Sequence, residues 1–323
     1  MKIETTNLGS HKTRAQTKLP EHVTSTLRGH LALLDPVTWA SGPQGFLGGA
    51  IASGGMKLDW ATCGLVVLGL TLVGPLTIGF SQSINDFFDR DVDAINEPTR
   101  PIPAGLVTLR GAILNFTVVA CLALLVSVIL MLTSQAGPLI IVMTILGLLL
   151  GVFYSMPPLE FKRNGLSGPL SVGLGYTMLT WMAGLLIFGP FKMEVFVITL
   201  VNVFISTGLL ILNDLKSIEG DRTLGLRTLP VLYGARGALK ISYAFIDSAQ
   251  VFFTFYLFFT GHYWIGLLQV LALLVQLKAQ RDLYITPSHK QFKIYLLSGN
   301  GFILLISFLA AFSFGGYTPF SSW

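Results

Sequence analysis

Charge is what this chain has least of. Asp, Glu, Lys and Arg make up 11% of its 323 residues, against 52% hydrophobic, and mean hydropathy is +0.69. Soluble globular domains carry roughly 25% charged residues, so a water-soluble fold is excluded and an integral membrane protein is expected. Cysteine is nearly absent. Cys63 and Cys121 stand alone in apolar segments, which leaves no disulfide framework or thiolate metal motif, and they read as small packing residues. None of the five histidines lies inside an apolar run: His11, His22 and His30 are near the N-terminus, His262 is in a short turn and His289 in a polar loop. That leaves no histidine poised for base work and argues against a non-catalytic pigment carrier with intramembrane histidine ligands. Residues 1–36 have no apolar core of the kind a cleavable signal peptide needs. They read as a flexible cytoplasmic tail, and 37–323 as one polytopic domain.

The apolar runs are long. A helix needs about 20 apolar residues to cross hydrocarbon, and candidates lie at roughly 37–54, 61–84, 112–133, 138–154, 168–188, 194–212, 238–260, 262–277 and 294–314. The first carries Pro43 and several glycines; the fourth and eighth are short. The expectation is an all-α membrane protein with nine transmembrane helices. If the loops alternate sides, 19 of the 21 Lys and Arg residues share the side of the N-terminus, and only Lys57 and Lys192 oppose them. Lys and Arg are retained on the cytoplasmic side, which predicts a cytoplasmic N-terminus and a C-terminus on the far side. The net charge of +5 follows from this bias. It suits an anionic lipid leaflet and is no signal for nucleic acid.

Against this background one acidic pattern occurs twice, 128 residues apart: Asn85-Asp86-x-x-Asp89-x-x-x-Asp93 and Asn213-Asp214-x-x-Ser217-x-x-x-Asp221. Each copy ends an apolar run. Each is followed by an arginine with a proline three places on, Arg100 with Pro103 and Arg227 with Pro230, so the chain reads as internally duplicated. At about 100° per residue from Asn85, Asp89 falls near 40°, Gln82 near 60°, Asp93 near 80° and Asp86 near 100°, one quarter of a helix, while Asp91 near 240° points elsewhere. Asp214, Ser217 and Asp221 share about 80° by the same reckoning. Hard oxygen ligands suit Mg²⁺ rather than zinc, and Mg²⁺ usually pairs one or two carboxylates with substrate phosphate oxygens. Asn85, Asp86, Asp89, Asp93, Asp214 and Asp221 are the candidate metal ligands. Solvated, inert helix ends are the plainer reading, but two copies in register on one face argue against it.

A bound phosphate calls for cations, and the same side supplies Arg100, Lys162, Arg163, Arg222 and Arg227. Lys162 and Arg163 follow Pro157-Pro158, which turns the chain at the interface, though they also fit a simple positive-inside bias. Arg100 is followed by two prolines that stiffen its loop, in Thr99-Arg100-Pro101-Ile102-Pro103. Asp247 is the one acid well inside an expected span. Such acids are functional candidates, unless this one snorkels or pairs with a neighbouring helix. A secondary transporter, where internal repeats and polar sites are common, remains a second class of reading.

The first motif, its Arg100-Pro101-Ile102-Pro103 loop and a second acidic motif half a chain later resemble the UbiA superfamily of intramembrane prenyltransferases. The resemblance runs over the second to ninth spans. The longer strings Asn85 to Pro98 and Asn213 to Arg222 are similar to the branch that esterifies chlorophyllide with a phytyl or geranylgeranyl diphosphate. Sister branches using haem, homogentisate or a quinone precursor stay open. The resemblance implies a nine-helix bundle around a central cavity, with acidic loops at its cytoplasmic mouth and Mg²⁺ as cofactor. Asp89, Asp93, Asp221, Arg100 and Lys162 are then the expected catalytic residues, and Arg100, Lys162, Arg163, Arg222, Arg227 and Tyr154 the diphosphate site. Phe87, Phe88 and Tyr154 are candidates to face an allylic cation, or else pack. One departure stands out: the family's second motif runs Asp-x-x-x-Asp, and Ser217 occupies the first acidic place, so Asp214 or Glu219 would substitute. A chlorophyllide propionate is already ionised near pH 7 and needs positioning rather than a base, which agrees with the missing histidine. The implied partners are the prenyl diphosphate, chlorophyllide, the lipid bilayer and chlorophyll-protein assembly factors. With no chloroplast transit peptide in view, a cyanobacterial thylakoid membrane is the expected location.

Overall fold

The computed structural model describes residues 26–286, 289–297 and 301–317. Among these residues helices build the whole fold, and the one extended contact is an isolated parallel bridge between Asn164 and Arg227. Helix α1 (Leu27–Leu33) is capped by Thr26 Oγ1, which accepts from the Gly29 amide at 3.0 Å. Leu33 is fully buried beside Ile102, Val107 and Ala112. A Cβ on Gly29 would lie 2.5 Å from the Leu106 carbonyl oxygen, so glycine is what lets α1 dock. The flexible tail expected over 1–36 is thus corrected at its end: residues 26–36 join the body because Leu33 has an apolar slot to fill, and residues 1–25 lie outside the described residues.

Helix α2 (Ser41–Ser53) follows a short 3₁₀ turn, Pro36–Ala40. Then α3 (Trp60–Thr71) passes through a π-helical stretch, Leu72–Ile78, into α4 (Gly79–Asn96). Pro75 lies inside the π stretch, where a residue without an N–H to donate is accommodated by the wider turn. Trp60–Asn96 is therefore one rod of 37 residues, and the first acidic motif continues a membrane span without a break. Helices α5 (Leu109–Thr133) and α6 (Leu139–Ser155) come next. A second π stretch, Gly173–Met178, joins α7 (Ser167–Val172) to α8 (Leu179–Phe188). Glycines set the α2–α8 contact. A Cβ on Gly49 would meet the Trp181 carbonyl oxygen and one on Gly184 the Phe46 carbonyl oxygen, at 1.9 and 2.0 Å, so the two backbones pack directly, as small residues allow in membranes.

The second half holds α9 (Met193–Asn213), α10 (Ile218–Thr223), α11 (Leu229–Phe259), α12 (Tyr263–Ile285), α13 (His289–Tyr295) and α14 (Gly301–Phe314). Gly234, with φ 68°, interrupts α11 near its start. Asp247 of α11 accepts from Gln276 and Gln280 of α12 at 2.9 and 2.8 Å, so this acid pairs with its neighbouring helix. Those glutamines also explain why α12 outruns its expected end at 277: hydrogen bonding buries polar residues that an apolar count rejects. At the end remote from the motifs, Lys192 Nζ donates to the carbonyls of Ala52 and Phe314, both at 3.1 Å, closing the C-terminal ends of α2 and α14.

The protein is an all-helical membrane protein. Among the described residues six stretches are long and apolar enough to cross a bilayer, with Leu139–Ser155 and Gly301–Phe314 apolar but shorter. Each of the nine expected spans meets a helix, but nine full-length spans are not reached among the described residues: α2 has 13 residues, and 298–300 of the last expected span lie outside them. Cys63 and Cys121 are free and exposed, pointing away from the core, so the packing role expected for them is not found.

Candidate active site

Both acidic motifs lie at the same end of the bundle, and two sets of bonds join them. The loop after α6 reaches the first motif through Lys162, whose Nζ forms an ion pair with Asp89 and lies 3.4 Å from Asn85 Oδ1. The same loop reaches the segment after the second motif by backbone: the Arg227 amide donates to the Arg163 carbonyl, and the Gly165 amide to the Arg227 carbonyl, both at 2.9 Å. The acids gather at one end, unlike the mid-membrane binding sites typical of transporters.

The helical stripe on α4 is present, but its side chains divide. Asn85 and Asp89 turn to the Lys162 loop, and Ser155 Oγ donates to Asn85 Oδ1 at 3.0 Å. Asp86, 2% exposed, instead accepts from Arg100 Nη1 at 2.8 Å. Arg100 also donates to Glu97 at 2.7 Å, so its planar fork folds the proline loop back onto the motif. Burial alone would lower the Arg100 pKa; the Glu97 hydrogen bond and the charges of Asp86, Glu97 and Asp93 outweigh this and raise it. Asp91 is exposed and pairs only with Arg90. Phe87 packs against Phe88 and Phe116, at ring distances of 5.5 and 5.8 Å, which selects the packing role for it. Tyr154 does line the cavity.

The second motif departs from its expected geometry. It does not ride one helix: α9 stops at Asn213, a 3₁₀ turn covers Asp214–Lys216, and α10 starts at Ile218. Polar side chains past the apolar run stabilise this break locally, with Lys216 Nζ on Asn213 Oδ1 at 2.9 Å and Ser217 Oγ on the Asp214 carbonyl at 3.2 Å. Ser217 does not replace an acid. Its hydroxyl also lies 3.0 Å from Asp221 Oδ2, which accepts from Thr228 Oγ1 at the same distance, so Asp221 is held in place by two hydroxyls. Glu219 is exposed and faces Arg222, which leaves Asp214 as the second acid near the site. Arg222 and Arg163 are themselves more than half exposed and paired with Glu219 and Glu160. They lie at the rim, and Arg227 contributes its backbone to the loop junction.

Below this mouth lies a cavity of about 370 Å³, within the range of roughly 300–1,000 Å³ common for small-molecule sites. Asn85 and Asn213, the first residue of each motif, both line it. Its depth is apolar, with Leu72, Ile140, Met143 and Leu179 on its walls, and both π stretches face it. Sequence reasoning missed three residues here. Ser155 and Thr228 adjoin residues it chose; Tyr176, whose hydroxyl accepts from Gln82 at 3.3 Å, sits in an apolar span without any spacing signal.

The donor set fits a hard cation. It is all oxygen, and Asp93 Oδ2 is buried without a hydrogen-bond partner. Among the described residues no three acids converge into a preformed cage. Two half-sites that need a phosphate to complete the shell are what Mg²⁺ chemistry allows.

Paired acidic motifs over an apolar chamber, in a helical membrane bundle, suit a molecule with an anionic head and an apolar tail. The UbiA prenyltransferase family model matches residues 44–306, and the chain belongs to that family. It is 36% identical to chloroplastic chlorophyll synthase of Arabidopsis thaliana over 87% of this chain and 73% of that protein. It is 37% identical to the bacteriochlorophyll synthase 34 kDa chain of Chloroflexus aurantiacus, over 80% of this chain and 81% of that one. A UbiA homolog from Archaeoglobus fulgidus, solved bound to DMAPP and Mg²⁺, shares the fold with a TM-score of 0.64 at 21% identity, covering 88% of this chain and 99% of its own.

Proposed function

We propose that the protein transfers a phytyl or geranylgeranyl group from its diphosphate to the propionate carboxylate of chlorophyllide. The observation that carries this is the shared mouth: Asn85 and Asn213, one from each motif, border one apolar cavity beneath a ring of acids and cations. Similarity to chlorophyll and bacteriochlorophyll synthases over most of the chain supports the acceptor.

In this reading the prenyl tail enters the apolar depth, and the diphosphate stays at the mouth. Asn85, Asp89 and Asp93 on one side, and Asp214 and Asp221 on the other, would hold Mg²⁺, which when bound neutralises charge that grows on the leaving diphosphate. Lys162 exchanges its partner Asp89 for phosphate oxygens, and Arg100 keeps the Asp86 end of the loop in place. A carboxylate oxygen of the acceptor forms a bond to the first prenyl carbon. The C–O bond to diphosphate breaks, and its electron pair leaves with the diphosphate. The apolar walls keep water from the allylic carbon, and the rings of Tyr154 and Tyr176 border its path.

We place the motif end on the cytoplasmic side, as the lysine and arginine bias expected from the sequence suggests, in a thylakoid membrane beside chlorophyll-protein assembly factors. The test is incubation of the detergent-solubilised protein with labelled geranylgeranyl diphosphate, Mg²⁺ and chlorophyllide, haem or homogentisate in turn. Label appearing in an esterified chlorin supports the proposal; label appearing only in another acceptor contradicts it.

A further inference from the structure

Glycines line the cavity beneath the acidic mouth at Gly147 and Gly151 of α6, and at Gly175 in the π stretch before α8. Gly151 serves packing, since a Cβ on it would meet Ser81 at 3.0 Å. The other two do not. Among the described residues a Cβ on Gly147 would find only Leu179 Cδ1, at 3.5 Å, and one on Gly175 only Leu150 Cδ1, at 3.8 Å, both ordinary van der Waals distances. Each of these glycines therefore leaves a notch that one methyl group would fill, beside the tip of a leucine that also lines the cavity. None of the four residues is fully buried. Glycine inside a helix is unfavourable relative to alanine, and neither close backbone contact nor a positive φ calls for it at these two positions.

The notches follow one another along a single seam. Gly147 stands beside Leu179 and Gly175 beside Leu150, so along α6 they are about 4.5 Å apart. An isoprenoid chain carries a methyl branch on every fourth carbon, a repeat of about 5 Å when extended. Ser155, which bonds Asn85 at the mouth, marks where the tail's path begins, and from there the notches lie about 7.5 and 12 Å deep. A branch next to the reacting carbon stays at the mouth, and the next two branches reach those depths.

We propose that Gly147 and Gly175 are specificity-determining residues that receive two methyl branches of the prenyl tail, so that the cavity selects a branched chain over an unbranched one of equal length. The proposal deepens the prenyl-transfer reading above and rests on it. An unbranched tail would leave both notches empty, and each methyl-sized gap forfeits apolar contact with the walls.

Competition between geranylgeranyl diphosphate and a synthetic allylic diphosphate, with chlorophyllide as acceptor, reads this selection in the purified protein. The synthetic chain has the same main-chain length and keeps the branch beside the reacting carbon, but has none of the later ones. Wild type should prefer the fully branched chain by about tenfold in kcat/KM, the scale of one or two buried methyl groups. In the double variant Gly147→Ala, Gly175→Ala the added methyl groups occupy the notches, so geranylgeranyl transfer should fall by about tenfold and the preference disappear, while Tm does not drop. Gly64→Ala, on α3 with nothing near its Cβ position, controls for adding a methyl group to a helix and should leave the preference intact. Should the double variant fail to accumulate, either single substitution should cut the preference by about threefold. A wild type indifferent to branching, or a preference that the glycine variants keep, overturns the assignment and leaves prenyl transfer standing. Failure of the wild type to transfer from either diphosphate to chlorophyllide overturns the reading beneath the proposal, and the proposal with it.

Discussion

Lys162 and Asp89 stand 73 residues apart in the chain and form an ion pair at the mouth of the cavity. The pair fastens the loop after α6 to the first acidic motif, and the backbone junction of that loop with Arg227 brings in the second. The charge of Asp89 is thereby balanced before substrate arrives, and the lysine is placed where a diphosphate would draw it away.

Lys162→Met is therefore expected to lower transfer by about a hundredfold, the scale of losing one preorganised electrostatic contact in a dry site. The loss should appear in the dependence on prenyl diphosphate, with the KM for chlorophyllide little changed. Initial rates with each substrate varied in turn make the check. An unaltered rate removes Lys162 from the diphosphate site.

Asp221 is held by Ser217 and Thr228, and neither hydroxyl would touch the metal. Groups that orient a metal ligand typically change metal affinity by about 10–100-fold. The double variant Ser217→Ala, Thr228→Val should raise the Mg²⁺ concentration needed for half-maximal rate by about that range and be rescued in part by excess Mg²⁺. A Mg²⁺ dependence identical to wild type shows that Asp221 is not a ligand.

The apolar walls set the length of chain that fits. Met143→Trp fills the cavity that Leu72 and Ile140 line, and should shift the preference from geranylgeranyl towards geranyl diphosphate by about tenfold or more, the scale of rejecting surplus methylenes. Competition between the two diphosphates, with products separated by chromatography, measures the ratio. If the ratio stays put, the tail lies elsewhere.

The sequence reveals a great deal of this site because the first motif obeys a simple rule. It continues a helix, so 100° per residue anticipates the common side on which Asn85 and Asp89 meet Lys162, and the lysine and arginine asymmetry anticipates both motifs at one end. The second motif was less legible. Helical arithmetic presumes an unbroken helix, while the polar residues from Asn213 to Ser217 form local bonds that end α9 early. Ser217 looked like a missing acid, since a spacing pattern cannot tell a ligand from the hydroxyl that supports one. No spacing pattern singles out Gly49 and Gly184, although backbone contact between α2 and α8 depends on them. Helix α1 escaped notice because a single buried leucine and a threonine cap, seven residues apart, give no periodic signal.

In the proposed reaction a magnesium diphosphate joins the two half-sites. Calorimetric titration of the purified protein with geranylgeranyl thiodiphosphate, an unreactive mimic, tests that most directly. Binding should require Mg²⁺ and be lost in both Asp93→Asn and Asp221→Asn, one variant from each half. Full affinity in excess chelator, or in either variant, would contradict it.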